Sequence, residues 1–151
     1  MEKTLVILKP SCIHRCLIGE VIKRLEKKGL LLVGVKMMQL DDEILNAHYA
    51  HLKERPFFNM VKQSMMSTPV IVQCWEGKEA VHVVRNLIGV TNSREAAAGT
   101  IRGDFSMSSQ ENIVHASDSP ESAEVELKRF FSDNELFTYK KPMALYSSDE
   151  V

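Results

Sequence analysis

Cysteine is scarce in this sequence, and the three that occur, Cys12, Cys16 and Cys74, form no C-x-x-C pair. An odd number of cysteines does not suit a disulfide framework, and the paired spacing of a structural zinc site is missing. Because free thiols persist in reducing compartments, the cysteine pattern indicates a cytoplasmic protein.

Long apolar runs and an excess of one charge are also absent. No stretch of about 18 apolar residues spans a bilayer, and no basic segment followed by an apolar one opens the chain. The formal net charge is −1 over 151 residues, so no general basic field attracts nucleic acid or anionic lipid. We therefore expect no membrane association and no specific nucleic-acid partner, and any anion site must be a local cluster of side chains.

The common glycine-rich phosphate loops are missing too. A Walker A loop needs a glycine five residues before Gly-Lys and a serine or threonine after it. The only Gly-Lys, at Gly77-Lys78, has Val72 and Glu79 in those positions. The glycines never form G-x-G, which excludes a dinucleotide fingerprint and the loop of protein kinases. Phosphate chemistry in this protein must therefore depend on side chains.

Hydrophobic periodicity predicts a single domain over residues 1–151, with about 138–151 as a C-terminal tail. The predicted strands are "TLVILKP", "LLLVGVKMMQL", "PVIVQCW" and "IVHA". With the helical stretches between them, the order is β-α-β-α-α-β-α-long loop-β-α. This order fits an α+β sandwich of the split βαβ type. A doubly wound parallel sheet is the alternative, because element order does not fix strand direction.

Capping residues predict where several helices begin and end. Gly29 and Gly89 follow apolar helical stretches as C-terminal caps, and Ser119 with Pro120 behind it begins the last helix. Residues 90–112 are rich in small side chains, so we predict a long loop without secondary structure there. Such long loops are uncommon in compact domains and are often functional.

A histidine stands at the end of the last predicted strand, in "NIVHASDS". Small residues follow His115 directly, so a large group can approach its ring. Imidazole can act as a nucleophile and form a covalent intermediate; the alternative is a half-buried histidine with a satisfied hydrogen bond. His48 and His51 lack further nearby ligands, and we predict that they lie on a solvated helix face rather than bind a metal.

Several other side chains suit a local anion site. Lys9 ends the first strand, Arg85 lies in a helix and Arg102 lies in "GTIRGDF". Thr91 can donate its hydroxyl to an anion, and one ring of "RPFF" can offer a stacking surface. The alternative for each is ordinary: an exposed charge, a turn residue or a core aromatic.

Five ordered motifs together carry a resemblance to a known family. They are "TLVILKP", "HYAHLKERPFF", "RNLIGVTN", "EAAAGTIRGDF" and "NIVHASDSPESAEVE". From Met1 to about Phe137 the chain resembles nucleoside diphosphate kinases. That resemblance implies a ferredoxin-like antiparallel four-stranded sheet covered by helices, with residues 90–112 as a long crossing loop.

The resemblance also implies an activity and its mechanism. The γ-phosphate of a nucleoside triphosphate passes to His115, which becomes phosphohistidine, and then to a nucleoside diphosphate in a ping-pong reaction. Mg²⁺ is expected on the nucleotide phosphates, without a direct protein ligand, although Asp118 can reach it through water. A homo-oligomer is implied, with a hexamer favoured and a tetramer as the alternative.

Site residues follow from the resemblance position by position. Those implied in catalysis are His115, Lys9, Ser117, Glu126 and Tyr49. Those implied in nucleotide binding are Lys9, Phe57, Arg85, Thr91, Arg102 and Asn112. In this scheme the aromatic ring stacks on the base, the arginines and the threonine hold phosphates, and the lysine and asparagine meet the sugar. The glutamate fixes one imidazole nitrogen and leaves the other as the nucleophile.

Three positions depart from the family's usual residues. Ser11 replaces an aspartate, Ser93 replaces a proline and Ala116 replaces a glycine. None removes a group implied in the site, but Ser93 is expected to loosen the crossing loop and weaken subunit association.

Two other functions are alternatives to a kinase. A non-enzymatic nucleotide binder needs no nucleophile, and a histidine phosphatase is expected to carry Arg-His-Gly, which is absent.

Overall fold

A computed structural model describes residues 1–140 and contains one four-stranded antiparallel sheet. The strands are β1 (Glu2–Leu8), β2 (Leu31–Met38), β3 (Val70–Gly77) and β4 (Val114–Ala116). Their order across the sheet is β2-β3-β1-β4, and every neighbouring pair is antiparallel. The α+β prediction is therefore confirmed, and the doubly wound parallel alternative is wrong.

Seven α-helices connect or follow the strands in residues 1–140. They are α1 (Pro10–His14), α2 (Ile18–Lys28), α3 (Asp42–His48), α4 (Phe58–Met66), α5 (Ala80–Ile88), α6 (Ile101–Phe105) and α7 (Pro120–Phe130). Short 3₁₀ helices cover Ala50–Leu52 and Asp133–Glu135. The predicted caps of α2 and α7 are confirmed. Gly29 has a φ of 105° at the end of α2, and the Ser119 side chain accepts the Ser122 N–H at the start of α7.

Two short helices were not predicted from the sequence. Pro10 ends β1 as expected, but it also occupies the first turn of α1, where its missing N–H costs no hydrogen bond. The prediction that residues 90–112 lack secondary structure is wrong at α6. The Thr100 side chain caps that helix by accepting the Gly103 N–H. Helices of five residues are too short to show an apolar period.

Both faces of the sheet are covered, which explains the continuous apolar run of β1. Leu5 and Ile7 pack in one core with residues of α3 and α7. Val6 and Leu8 point to the other face and pack with residues of α2 and α5. Successive side chains of a strand point to opposite faces, so a strand covered on both sides must be apolar throughout. β1 is thus fixed at the sheet's centre, beside the strand that carries His115.

The described part of the tail runs beside the edge strand β2. The Phe137 N–H donates to the Val33 carbonyl, and the Tyr139 hydroxyl donates to the Leu32 carbonyl. The rest of the predicted tail, residues 141–151, lies outside the described residues. Among residues 1–140, no helix has both the length and the apolar character needed to cross a membrane.

Candidate active site

A strained turn places β4 and its histidine. Ile113, directly before β4, has a φ of 73°, a conformation that is rare for a β-branched residue. The Val114 N–H closes the turn on the Asn112 carbonyl at 2.8 Å, which is the i→i+2 bond of a γ-turn. The Ile113 N–H donates to Ser11 Oγ at 3.3 Å, and its carbonyl accepts the Lys9 N–H at 2.9 Å. The surrounding hydrogen bonds therefore hold a conformation that the residue itself disfavours.

A cavity of about 1040 Å³ opens beside this turn, which is ample for a drug-sized or nucleotide-sized ligand. Side chains from five helices, β4, the end of β1 and the crossing loop contribute to its wall. The cavity brings together almost all the site residues implied by the sequence, namely Lys9, Tyr49, Phe57, Arg85, Thr91, Arg102, Asn112, His115, Asp118 and Glu126. Ser117 is fully buried behind the cavity wall.

His115 and Glu126 form the central pair of the site. The Nε2 atom of the imidazole lies 2.9 Å from Oε2 of the carboxylate, and their side chains are 19% and 12% exposed. Burial works against ionisation of Glu126, but the hydrogen bond and charge of His115, a hydrogen bond from Ser117 and the charge of His48 lower its pKa to about 2. An ionised carboxylate accepts the Nε2 proton, which leaves Nδ1 with a free lone pair.

Ser117 supports this pair from the protein interior. Its hydroxyl accepts the Leu5 N–H at 3.3 Å, and its own N–H donates to the Leu5 carbonyl at 3.2 Å. These bonds continue the pairing of β4 with β1 past the end of the strand. The serine thus acts on Glu126 from behind rather than on a ligand in the cavity.

Lys9 and Asn112 are connected across the base of the cavity. Lys9 Nζ donates to Asn112 Oδ1 at 2.6 Å and to the Gln110 carbonyl at 3.2 Å. The Asn112 amide donates in turn to the Thr91 carbonyl at 3.0 Å. Burial, followed by the positive charge of Arg102, lowers the pKa of Lys9 to about 8. An ammonium has three donors, so the lysine keeps one for a ligand.

Arg102 is buried and tied to the backbone, which the sequence did not indicate. Its guanidinium donates to the carbonyls of Val114 at 2.7 Å, Gly89 at 2.9 Å and Asn112 at 3.2 Å. Burial, then repulsion from Arg85, lowers its pKa to about 10, so it stays charged at neutral pH. A guanidinium has five N–H donors, and those not used here remain available toward the cavity.

Arg85 and Asp118 stand at the cavity's rim. Arg85 Nη1 lies 3.1 Å from Asp118 Oδ1 and 3.5 Å from the Ala116 carbonyl. The Asp118 side chain is 78% exposed, so this ion pair opens easily when an anion competes for the arginine. Phe57, 42% exposed, offers a free ring face at the start of α4.

The prediction for His48 is wrong, because its ring is buried in the site rather than solvated. His48 lies 6% exposed on α3, with its ring centroid 4.5 Å from that of His115. A signal existed in the sequence: Leu45, His48 and Tyr49 are spaced i, i+3, i+4, which places all three on one helix face. That face is the buried one. His51, in contrast, is exposed as expected.

His48, His115 and Glu126 also form a compact set of potential metal ligands. One ligand atom from each lies within 4.8 Å of the others. Two nitrogens and one carboxylate suit zinc, whereas Mg²⁺ prefers oxygen ligands. However, Arg129 Nη1 lies 3.1 Å from His48 Nδ1, and a guanidinium at a ligand atom opposes a cation there. We therefore assign no metal ion to this cluster.

Comparisons with known proteins agree with one another. The family model described as nucleoside diphosphate kinase matches residues 2–136. The nucleoside diphosphate kinase of Parabacteroides distasonis is 66% identical, with 99% of each chain covered. That of Archaeoglobus fulgidus is 50% identical over 93% of each chain. The solved structure of a halophilic nucleoside diphosphate kinase from Halobacterium salinarum in complex with CDP has a TM-score of 0.91 and 40% identity, covering 93% of this chain and 94% of that one.

Proposed function

Because this chain belongs to the nucleoside diphosphate kinase family and has the phosphotransferase activity of that family, we propose that His115 carries the phosphate between the two nucleotides. The observation that carries the proposal is the 2.9 Å contact between His115 Nε2 and Glu126 Oε2 at the cavity wall. With its proton held on Nε2, the ring offers the lone pair of Nδ1 to a phosphorus atom.

The transfer is the same reaction run in two directions. The Nδ1 lone pair of His115 forms a bond to the γ-phosphorus, while the bond from that phosphorus to the bridging oxygen breaks. The bond's electron pair leaves with the diphosphate. The ring becomes positively charged on phosphorylation, and the Glu126 carboxylate stabilises that charge. A second diphosphate then attacks the phosphorus through its terminal oxygen, and the electron pair returns to Nδ1.

Nucleotide binding is proposed to use the remaining cavity side chains. Arg85 and Arg102 supply positive charge for the phosphates, with the Thr91 hydroxyl as a further donor. Lys9 and Asn112 are proposed to meet the sugar hydroxyls, and Lys9 lines the same cavity as the reacting histidine. Tyr49 borders the site with its ring 4.8 Å from that of His48.

The base is proposed to stack on Phe57, whose ring is 42% exposed beside the cavity. Every base has a π-face, so stacking alone does not select one base. The Halobacterium salinarum relative was solved with the pyrimidine nucleotide CDP, which is consistent with a site that does not require a purine.

Mg²⁺ is proposed to bind on the nucleotide phosphates, where it neutralises negative charge during transfer. The donor set in the chain fits this arrangement. Asp118 is an exposed carboxylate of the cavity, as Glu121 is, and it is engaged by Arg85 at 3.1 Å. It is therefore suited to reach the ion through water once the phosphates have taken the arginine, rather than to bind it directly.

We further propose that the protein is a homo-oligomer, with a hexamer favoured over a tetramer. We also propose that the chain forms a single domain and lies in the cytoplasm. The edge strand β2 exposes Val35 and Met37 at 52% and 60%, which suits association with another subunit. Ser93 is 3% exposed and its N–H donates to the Ser108 carbonyl at 3.4 Å, so this residue is packed within the loop.

Cys12, Cys16 and Cys74 are free thiols, which is consistent with the reducing compartment that we propose.

The experiment that tests this function follows a labelled phosphate. The protein is incubated with γ-labelled ATP, freed of nucleotide, and mixed with GDP. Label should appear on the protein and then move to GTP. Label released as free phosphate would instead indicate a histidine phosphatase, and no label on the protein would indicate a nucleotide binder or direct transfer.

A further inference from the structure

Arg129 and His48 lie in the site but take no part in the transfer step described above. The His48 side chain is 1% exposed, and three rings surround it. The centroids lie 4.5 Å away for His115, 4.8 Å for Tyr49 and 5.2 Å for Phe130, each at a steep interplanar angle. The ring is therefore locked in place beside the histidine that carries the phosphate.

The contact with Arg129 fixes the protonation state of His48. Arg129 Nη1 lies 3.1 Å from His48 Nδ1. A guanidinium only donates hydrogen bonds, so Nδ1 must be the acceptor and the single ring proton must sit on Nε2. A second proton on Nδ1 would remove this hydrogen bond and place two positive groups in contact.

The neutral state of His48 matters because of its contact with Glu126. Its Oε2 atom lies 2.9 Å from His115 Nε2 and 3.5 Å from His48 Nδ1. The two histidines thus face the same carboxylate oxygen. If Nδ1 of His48 carried a proton, it would compete with His115 for that oxygen, and the orientation of the nucleophile would weaken.

Resting on the proposed role of His115 and Glu126, we propose that Arg129 and His48 are positioning residues: Arg129 keeps His48 uncharged, and the uncharged ring leaves the Glu126 carboxylate to His115. The charged and titratable groups facing His48 are Tyr49 at the end of α3, His51 of the 3₁₀ helix, His115 of β4, and Glu126 and Arg129 of α7. Glu126 alone favours a proton on the ring.

The electrostatics agree with this geometry. Burial first, then repulsion from His115, lowers the pKa of His48 to about 3, while Glu126 opposes the shift and Arg129 adds to it. Loss of Arg129 removes both a lowering charge and the donor on Nδ1. The pKa of His48 is then expected to rise from its lowered value, although burial and the charge of His115 still oppose protonation.

The test is the pH profile of kcat/KM between pH 5.5 and 8.5 for Arg129→Gln, with Lys128→Gln as the matched control. Lys128 is the neighbouring residue on α7, has a 75% exposed side chain and pairs with Glu124 on the surface of the same helix. We expect kcat/KM of Arg129→Gln, relative to the native protein, to be several-fold lower at pH 5.5 than at pH 8, because the released His48 ring competes for Glu126 on the acid limb. At pH 8 the loss should be about threefold or less. Lys128→Gln should follow the native profile.

Two further variants separate this effect from a general loss of structure. Arg129→Lys keeps a charged donor and should restore most of the native acid limb. His48→Phe combined with Arg129→Gln removes the titrating ring, so its acid limb should return toward the native position. An acid limb of Arg129→Gln that coincides with that of Lys128→Gln, or a shift that persists in the double variant, would overturn the proposal.

A readout independent of activity comes from ¹⁵N NMR of the imidazoles. At pH 6, His48 should give the neutral Nε2–H pattern in the native protein, whereas in Arg129→Gln the ring should no longer be held in this tautomer and should protonate at a higher pH than in the native protein. A charged His48 in the native protein would overturn the positioning role, whatever the kinetics. In contrast, failure of the proposed function would appear separately, as absence of phosphate on His115 when native protein meets ATP.

Discussion

Arg102 and Val114 are joined by a 2.7 Å hydrogen bond from Nη2 to the backbone carbonyl, directly before His115. The arginine therefore belongs to the framework of the site as well as to its charge. Its other contacts hold the end of α5 and the start of the γ-turn at the same time. Contact with phosphate alone would not require an arginine to be buried, whereas Arg102 is only 4% exposed.

Arg102→Ala should consequently lose both stability and nucleotide affinity. The variant leaves buried carbonyls without donors and removes a charge from the phosphate region, each a loss of about 1.5–3 kcal/mol. Urea unfolding and calorimetry with ADP measure the two effects. Arg94→Ala is the matched control, because Arg94 is exposed in the same loop and its side chain bonds the nearby Asn92. Unchanged ADP affinity in Arg102→Ala would rule out a phosphate contact.

Ser11→Ala should destabilise the turn that delivers His115. The Ser11 hydroxyl accepts the N–H of Ile113, and without it a buried donor is left unpaired at a strained residue. The expected loss is about 1–3 kcal/mol of unfolding free energy, with a lower kcat. Ser11→Asp restores an acceptor of the kind common in the family and should retain both. Equal stability of the alanine variant and the native protein would show that the turn does not depend on Ser11.

The buried His48 predicts how stability depends on pH. Its pKa is lowered from 6.5 to about 3, so between those values the unfolded chain binds a proton that the folded chain does not. Stability therefore falls as the pH drops below about 6.5, by up to about 1.4 kcal/mol per pH unit for one proton. His48→Phe should reduce this slope.

Urea unfolding between pH 6.5 and 5.5 measures that slope. Glu126 adds little in this window, because its unfolded pKa is 4.5 and its folded pKa is lower, so its stabilisation is lost mainly below about pH 5.5. Protein concentration must be held constant, since association shifts apparent stability. If both proteins show the same slope, His48 is not buried in its neutral form.

All four common diphosphates should be accepted by the phosphorylated protein. The proposed sugar and phosphate contacts are common to all nucleotides, and the proposed stack on Phe57 is open to any base. We therefore expect kcat/KM to spread over roughly two decades, with purines ahead because larger rings stack better. Competition of equimolar ADP, GDP, CDP and UDP, followed by chromatography of the triphosphates, measures this spread. A preference of about 10⁴-fold for one base would require hydrogen-bond readout of its edge.

Local sequence patterns predicted most of the fold, and the motif resemblance to the family is confirmed. Apolar runs, Gly29 and Ser119 mark element ends because capping is a local property. The residues that were missed act through tertiary contacts. His48 was assigned to a solvated face because its partners, Glu126 and Arg129, lie about 80 residues away in sequence.

The same limit applies to Arg102. The family resemblance predicts a phosphate contact for it, yet the backbone carbonyls that it binds carry no sequence signature. The strand directions could not be derived from periodicity either, and only the resemblance chose between the two architectures. Caps and apolar faces depend on nearby residues and can be predicted from the sequence, whereas polar contacts between distant residues cannot.

The most direct measurement is the chemical position of the phosphate after reaction with ATP. The native protein, phosphorylated and kept at alkaline pH because phosphohistidine is acid-labile, is examined by peptide mass spectrometry and by ³¹P and ¹⁵N NMR. The predicted result is one phosphate on His115, attached to Nδ1, absent from His115→Ala and transferred to any added diphosphate. Phosphate on another residue, or normal exchange by His115→Ala, would contradict the assignment of His115 as the phosphate carrier.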